Sequence, residues 1–182
     1  MYGLTHRGLR AMVIDAAGEH TWEEIEQSLG IGPSELITAV VYDDDLTTRM
    51  LVAASEALGI STEQCMIDFG RYWVRYVEKG PYAAIMQFTG DDLATFVTNL
   101  DRMHQAVLTS MPDARVPQFS VLEGDKGSLT VRYSSEREGL EQMVIGLFRG
   151  LLDRFSLNGT VEQVASTENR PVFRISYEPI AA

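Results

Sequence analysis

Apolar residues recur at steps of three and four up to Met111, and alternation takes over after Pro112, so the chain has to build helices first and a sheet second. Tyr2 to Ala17 puts Leu4, Leu9, Met12, Val13 and Ala16 on one helical face. Thr21 and Glu24 read as a capping box that opens a short helix ending at Gly30. Asp43, Asp44 and Asp45 precede a helix that runs to Gly59, where they serve as cap and dipole compensation. A calcium loop would need more ligands at alternate positions. Ser61 or Thr62 starts the next helix, which reaches about Glu78 before the Lys79-Gly80-Pro81 break. A short turn then leads to one long helix from about Asp91 to Met111. Beyond Pro112, the runs 118–123 and 128–135 alternate on either side of a Gly124-Asp125-Lys126-Gly127 turn and predict a hairpin. Residues 141–155 return to helical spacing, and 160–165 and 172–177 read as two further strands. The expected fold is α+β: an α-helical N-terminal part packed on a C-terminal antiparallel sheet with an inserted helix. No repeat or long linker divides it, so 1–182 is expected to be a single domain with a ligand-bearing crevice between its two parts.

Charge and composition exclude several classes of function. The chain carries 15 Lys and Arg against 26 Asp and Glu, a net charge of −11. A nucleic-acid binder needs a basic footprint, and the cations here are scattered. Mean hydropathy is −0.06, and no apolar run is long enough to cross a bilayer. The opening residues lack the basic start and apolar stretch of a secretory signal. The lone Cys65 permits no internal disulfide and no multi-cysteine zinc site. A cytoplasmic location is the expectation.

His104 stands out on the long helix. It lies four after Leu100, seven after Val97 and three before Val107, on the oily stripe. A buried imidazole must commit its nitrogens to hydrogen bonds or to a metal. A core histidine bonded to a backbone carbonyl and a metal ligand are both consistent with that position. A second constellation follows the hairpin. In extended chain, Tyr133, Ser135 and Arg137 point to one side. A phenol, a hydroxyl and a guanidinium together suit a carboxylate. The plainer reading is a solvated strand end, with Arg137 paired to Glu136 or Glu138. Haem needs what the two constellations offer: an axial nitrogen for iron, and partners for two propionates.

Four features then resemble one family, the haem nitric-oxide/oxygen-binding (H-NOX) domains related to the sensor domain of soluble guanylate cyclase. Asn99-Leu100-Asp101-Arg102-Met103-His104 is similar to that family's proximal-histidine helix. Pro117 follows thirteen positions after His104, where the family sets a proline against the haem. Tyr133-x-Ser135-x-Arg137 is similar to its propionate motif. Met1-Tyr2-Gly3-Leu4 and His20-Thr21-Trp22-Glu23 are weaker matches. The resemblance spans nearly the whole chain.

The resemblance implies a haem b (iron protoporphyrin IX) between the helical part and the sheet. His104 would be its iron ligand, Tyr133, Ser135 and Arg137 its propionate partners, and Pro117 a wedge against the macrocycle. Some members use a distal tyrosine to favour oxygen. Here Met143 takes that position, with Leu140 and Val144 as neighbours, and 139–150 holds no tyrosine. The implied ligands are nitric oxide and carbon monoxide, with oxygen excluded. A register slip by one would put the donor Gln142 there instead. Trp73, on the helix expected to cover the distal side, is either packing or a contact for the gas, and Leu4 is expected at the haem edge. Signalling is implied to run through weakening of the iron–His104 bond, to a separate histidine kinase or diguanylate cyclase. The chain is thus expected to be a sensor and not an enzyme, since no distal acid–base pair is visible. A haem-free interaction module of the same fold is the alternative. His6 and His20 are expected at the surface, and Cys65 as a small buried hydrophobe.

Overall fold

In the computed structural model, which describes residues 1–32, 35–167 and 170–180, the N-terminal half is helical, as the spacing predicts. Helix α1 spans Gly3–Ala17, α2 Glu19–Leu29, α3 Asp44–Leu58 and α4 Thr62–Lys79. Side chains start two of them. Asp43 accepts from the amide of Asp45 at 2.8 Å, and Ser61 accepts from that of Gln64 at 3.1 Å. Thr21 is not a cap. Helix α2 begins two residues earlier, behind Gly18 at φ +88, and Thr21 lies inside it, donating its hydroxyl back to the carbonyl of Ala17 at 2.9 Å. Gly18 permits the sharp α1–α2 corner that leaves no room for the expected loop.

Two further differences concern the region before the sheet. A seven-residue helix, α5 (Ala83–Thr89), occupies the place of the expected turn. It buries only Met86 and Thr89, too few for a readable period. The expected long helix is two, α6 (Leu93–Thr98) and α7 (Leu100–Leu108), kinked at Asn99. Asn99 sits at φ −92, ψ 0, and its side-chain amide donates to the carbonyl of Thr89 at 2.8 Å. That side bond draws the turn toward α5 and supplies the kink. Apolar spacing persists through the kink, which is why the sequence reads as one helix.

The rest forms a four-stranded antiparallel sheet, β1 (Gln118–Asp125), β2 (Ser128–Ser134), β3 (Leu157–Thr167) and β4 (Arg170–Pro179), in the order β1-β2-β4-β3. Helix α8 (Glu141–Arg154) is the inserted one and packs on the inner face, Phe148 meeting Phe173 and Phe119 at 5.9 and 5.8 Å between ring centres.

Two cores result. Leu9, Val13, Trp22, Ile25, Met50 and Phe69 join α1, α2 and α3 to the start of α4. Phe96, Val97, Val131, Phe148, Phe173 and Ile175 join the end of α4, α6 and α8 to the sheet. Helix α4 belongs to both, and Trp73 packs against each. Helices α4 and α8 touch backbone to backbone. A Cβ on Gly70 would lie 2.1 Å from the carbonyl oxygen of Met143, and one on Gly146 would lie 2.0 Å from that of Ile67. Only glycine allows this approach, and it locks α8 to α4 as one unit.

Candidate functional site

A cavity of about 260 Å3 lies between α7, α4, α8, the start of α1 and the inner end of the β1–β2 hairpin. His104, Pro117, Tyr133, Ser135, Arg137, Leu4, Trp73, Leu140, Met143 and Val144 all line it. Leu4 and Val144, 140 positions apart in the chain, are thus brought to one cavity. Most of the remaining lining is apolar, including Val77, Leu100, Met103, Val107 and Phe119.

His104 meets the hydrogen-bonding reading with one nitrogen and leaves the other without a protein partner among the described residues. Its Nδ1 lies 3.0 Å from the carbonyl oxygen of Pro117. A carbonyl only accepts, so Nδ1 carries the proton and Nε2 keeps its lone pair. No hydrogen-bond partner for Nε2 occurs among the described residues. Burial pushes the imidazole below its ordinary value, against the opposing pull of the Pro117 carbonyl and Asp101, which favours the neutral, ligating form. The same segment is held a second time by Asp101, whose Oδ1 accepts from the amide of Phe119 at 2.8 Å.

The second constellation is built differently from the alternation argument. Strand β2 ends at Ser134, so only Tyr133 is presented by the sheet, and Ser135 and Arg137 come from the loop that follows. The loop turns because Ser135 Oγ accepts from the amide of Arg137 at 3.0 Å. Tyr133 is buried at 3% exposure. Burial raises its phenol above the ordinary value, eased by the Ser135 hydroxyl. Arg137 does pair with an acid, but not with Glu136 or Glu138. Its Nε reaches Asp44 at 3.0 and 3.1 Å across the molecule, and its Nη1 donates to the carbonyl of Arg115 at 2.9 Å. The α-amino group of Met1 also donates to Asp44, at 2.8 Å. Burial works to raise the Asp44 carboxyl, but these cationic partners outweigh it and hold it below the ordinary carboxylate value. Asp44 is therefore the residue that sequence reasoning missed. Three acids in a row already satisfied a cap, and one of them was free for another task.

On the α8 side, Met143 and Val144 line the cavity and Gln142 does not. Trp73 is held by Phe69 at 6.0 Å and Tyr76 at 5.8 Å between ring centres, and the bare Gly8 of α1 faces its six-membered ring. Thr5 lines the same cavity and was not foreseen.

The other histidines divide. His20 is 85% exposed between Glu23 and Glu24, as expected. His6 contradicts the surface expectation. It is fully buried between α1 and α3, with Nε2 2.8 Å from Thr47 Oγ1. His6 falls on the stripe of Leu9 and Val13, three and seven positions on, and its neighbour Arg7 masked that signal. Burial and the nearby α-amino group push its imidazole down to about 4. Cys65 is buried, and burial with Asp68 nearby pushes its thiol up to about 11, in keeping with an inert side chain.

Among the described residues no group of three or more His, Cys, Asp or Glu is placed to hold a metal ion. A metal on His104 would have to bring its remaining ligands with it, as iron does in a porphyrin. An apolar slot, a lone imidazole nitrogen on one wall and a guanidinium with two hydroxyls at the edge fit that group. Among the described residues no helix is long and apolar enough to cross a membrane.

Comparison with known proteins agrees with this geometry. The family model described as Haem-NO-binding matches residues 2–163. Among curated proteins, soluble guanylate cyclase gcy-33 of Caenorhabditis elegans is 27% identical over 146 residues, 80% of this chain and 15% of the relative. Soluble guanylate cyclase 89Db of Drosophila melanogaster is 25% identical over 80% of this chain and 22% of its own length. The chain therefore spans under a quarter of these two relatives. Among solved structures, an H-NOX protein from S. oneidensis in the Fe(II)NO ligation state superposes with a TM-score of 0.86 at 17% identity, covering 98% of this chain and 99% of that one. An oxygen-binding H-NOX domain solved as its oxygen complex superposes with a TM-score of 0.82 at 21% identity, covering 100% and 98%. Both gases occur on this fold, so the fold alone does not choose between them.

Proposed function

This chain belongs to the Haem-NO-binding family, known for haem-based gas sensing, and from that premise we propose that it is a nitric oxide sensor that also takes carbon monoxide and excludes oxygen. The observation that carries the reading is His104, with Nδ1 tied to the Pro117 carbonyl and Nε2 left for a ligand on the cavity side. His104 would hold the iron of a haem b. Tyr133, Ser135 and Arg137 would hold its propionates, and Pro117, Leu4, Trp73, Leu140, Met143 and Val144 would pack against it. When bound, the haem would supply a ferrous iron able to take a diatomic gas.

The residues set the choice of gas. Bound oxygen draws partial negative charge and gains from a buried donor, whereas nitric oxide depends less on one. Leu140, Met143 and Val144 offer no donor; the Thr5 hydroxyl and the Trp73 indole N–H also line the cavity, and the response to air decides whether either reaches the gas. Signalling follows from the attachment of α7. His104 and Asp101 tie α7 to 117–119, so a gas that changed the pull on His104 would shift α7 against the rest of the cavity. A ligand can drive that shift only through its differential affinity for the two positions. We take 1–182 as one cytoplasmic sensor domain whose output goes to a separate histidine kinase or diguanylate cyclase. Among the described residues that line the cavity there is no carboxylate to pair with a base as in a haem enzyme.

An absorbance titration tests this. After haem reconstitution, the ferrous protein should show a Soret band that moves with nitric oxide and with carbon monoxide and stays put in air. The lack of any Soret band would favour a haem-free interaction module, and turnover of peroxide with a reducing substrate would favour an enzyme.

A further inference from the structure

The sheet has two edges, and only one of them is guarded. Along β1 the pairing with β2 slips at a bulge between Val121 and Glu123, and the amide of Phe119 is already taken by Asp101 at 2.8 Å. Such features keep another chain from adding a strand. Along β3, by contrast, Leu157 to Val164 pairs with β4 without a slip. That run holds no proline, lysine or arginine, and Glu162 is its one charge. We infer that this edge is an interface between two copies of the chain, joined β3 to β3 about a two-fold axis at Val161. The inference is independent of what fills the cavity.

The phase of the ladder decides which backbone groups are free. Tyr177 of β4 donates its amide to the carbonyl of Gly127, on the β2 side, at 2.8 Å. Bonded and unbonded pairs alternate in an antiparallel ladder, so Tyr177 is not bonded to Gly159, its counterpart on β3. By the same alternation Leu157, Val161 and Gln163 also turn their N–H and C=O groups to the free edge. Pro179, which has no N–H, stands opposite Leu157, as this phase requires. No partner for these outward groups occurs among the described residues. A strand of the same sequence fits them. With Val161 opposite its own copy, Gly159 meets Gln163 of the second copy, and outward-facing positions bond only to one another. Glu162 then faces a threonine, the second copy's Thr160, and not another acid. Thr160 and Glu162 are both exposed, and Arg174 of β4 flanks Glu162 from the other side. Most of the chain's acidic excess lies before Pro112, outside the sheet. A joint of strand edges alone is smaller than a standard interface, so the pairing is weak and depends on concentration.

Sedimentation equilibrium of the full chain, from micromolar to millimolar concentration, should show monomer and dimer exchanging. Gln163→Pro removes an outward N–H and leaves the bonds to β4 in place, so it should abolish the dimer while the monomer melts near the parent's temperature. Thr160→Glu sets an acid opposite Glu162 of the second copy, twice by symmetry, and should weaken the dimer by about 2- to 30-fold. Thr160→Lys should strengthen it by a similar factor. These exposed substitutions keep the test intact should proline disturb the strand. A monomer at every concentration overturns the proposal. So does a dimer indifferent to Gln163→Pro, and so do Thr160 variants that shift the dissociation constant in the same direction. Amide exchange locates the joint: Gly159, Val161 and Gln163 should gain protection as concentration rises. Protection gained along β1 instead would put the interface at the other edge and overturn the assignment.

Discussion

Replacing Gly146 with alanine tests whether the α4–α8 contact holds the cavity wall in place. Alanine favours a helix over glycine by about 1 kcal/mol, so propensity alone predicts a more stable protein. The added Cβ, however, would stand 2.0 Å from the carbonyl oxygen of Ile67, 2.8 Å from its carbon and 3.0 Å from the amide nitrogen of Arg71. Those atoms are helix backbone and cannot rotate away. A carbon and a carbonyl oxygen rest at about 3.3 Å or more, so α8 must retreat by about 1 Å. Overpacking of a tight interior costs about 1–3 kcal/mol, and a backbone neighbour puts this site at the upper end. The net expectation is a loss of about 2 kcal/mol, which for a chain of this length lowers the melting temperature by about 4–8 °C. Met143, Val144 and Leu147 move with α8, so haem uptake should weaken in the same variant. Thermal unfolding and haem titration read both effects. Gly32→Ala is the control, since its Cβ would meet only the flexible Glu35 side chain, at 3.3 Å. A Gly146→Ala protein that melts at or above the parent's temperature and takes up haem normally would refute the reasoning.

Asp44→Asn keeps the shape and removes the charge that Arg137 leans on. Because Asp44 is 42% exposed, the expected loss is only about 1 kcal/mol in urea unfolding, and an unmoved midpoint would show the pair to be idle. His6 predicts a pH dependence with a definite sign. Its folded value of about 4 lies below the ordinary 6.5, so the unfolded chain binds the extra proton first. Stability from this site is complete above about 6.5 and is lost as pH falls toward 4, by up to about 3 kcal/mol. The difference between parent and His6→Asn, followed by urea unfolding across that range, should show the slope, and parallel curves would contradict it. Met143→Tyr places a phenolic donor on the wall facing His104. The ferrous spectrum should then respond to air, and continued indifference would show that Met143 is not near the gas.

The order of elements was legible because burial writes a period into the chain, of 3.6 residues for helices and two for strands. His104, Pro117 and Tyr133 were legible for the same reason or through a motif, and all three line the cavity. What escaped were features that periods do not record. The kink at Asn99 depends on one side-chain bond to Thr89, with the apolar stripe unbroken on both sides. Helix α5 is too short to show a stripe. Asp44 meets Arg137 across 93 positions, and nothing near either residue announces the other. Tyr133, Ser135 and Arg137 were placed together by an argument about extended chain that holds only for the first of them. A loop folded by the Ser135 hydroxyl delivers the other two to the same cavity.

The two long walls of the cavity differ in stiffness, and that difference decides where a bound ligand can produce motion. The wall carrying Trp73, Met143 and Val144 rises from α4 and α8, whose backbones touch through Gly70 and Gly146, with no side chain between to yield. The wall carrying His104 is α7, nine residues long, with Leu100 its one buried residue. Helix α6 before it is fixed by the buried Leu93, Phe96 and Val97, so the slack begins at Asn99. Beyond the kink, α7 is tied to 117–119 through His104 and Asp101 and has little packing of its own. A segment with few buried contacts opens at low free energy, whereas a backbone-locked pair does not. Any change in the pull on His104 must therefore appear as movement of α7 about Asn99. The exposed side of α7, with Arg102, Gln105 and Ala106, is the part of this surface that would move with it.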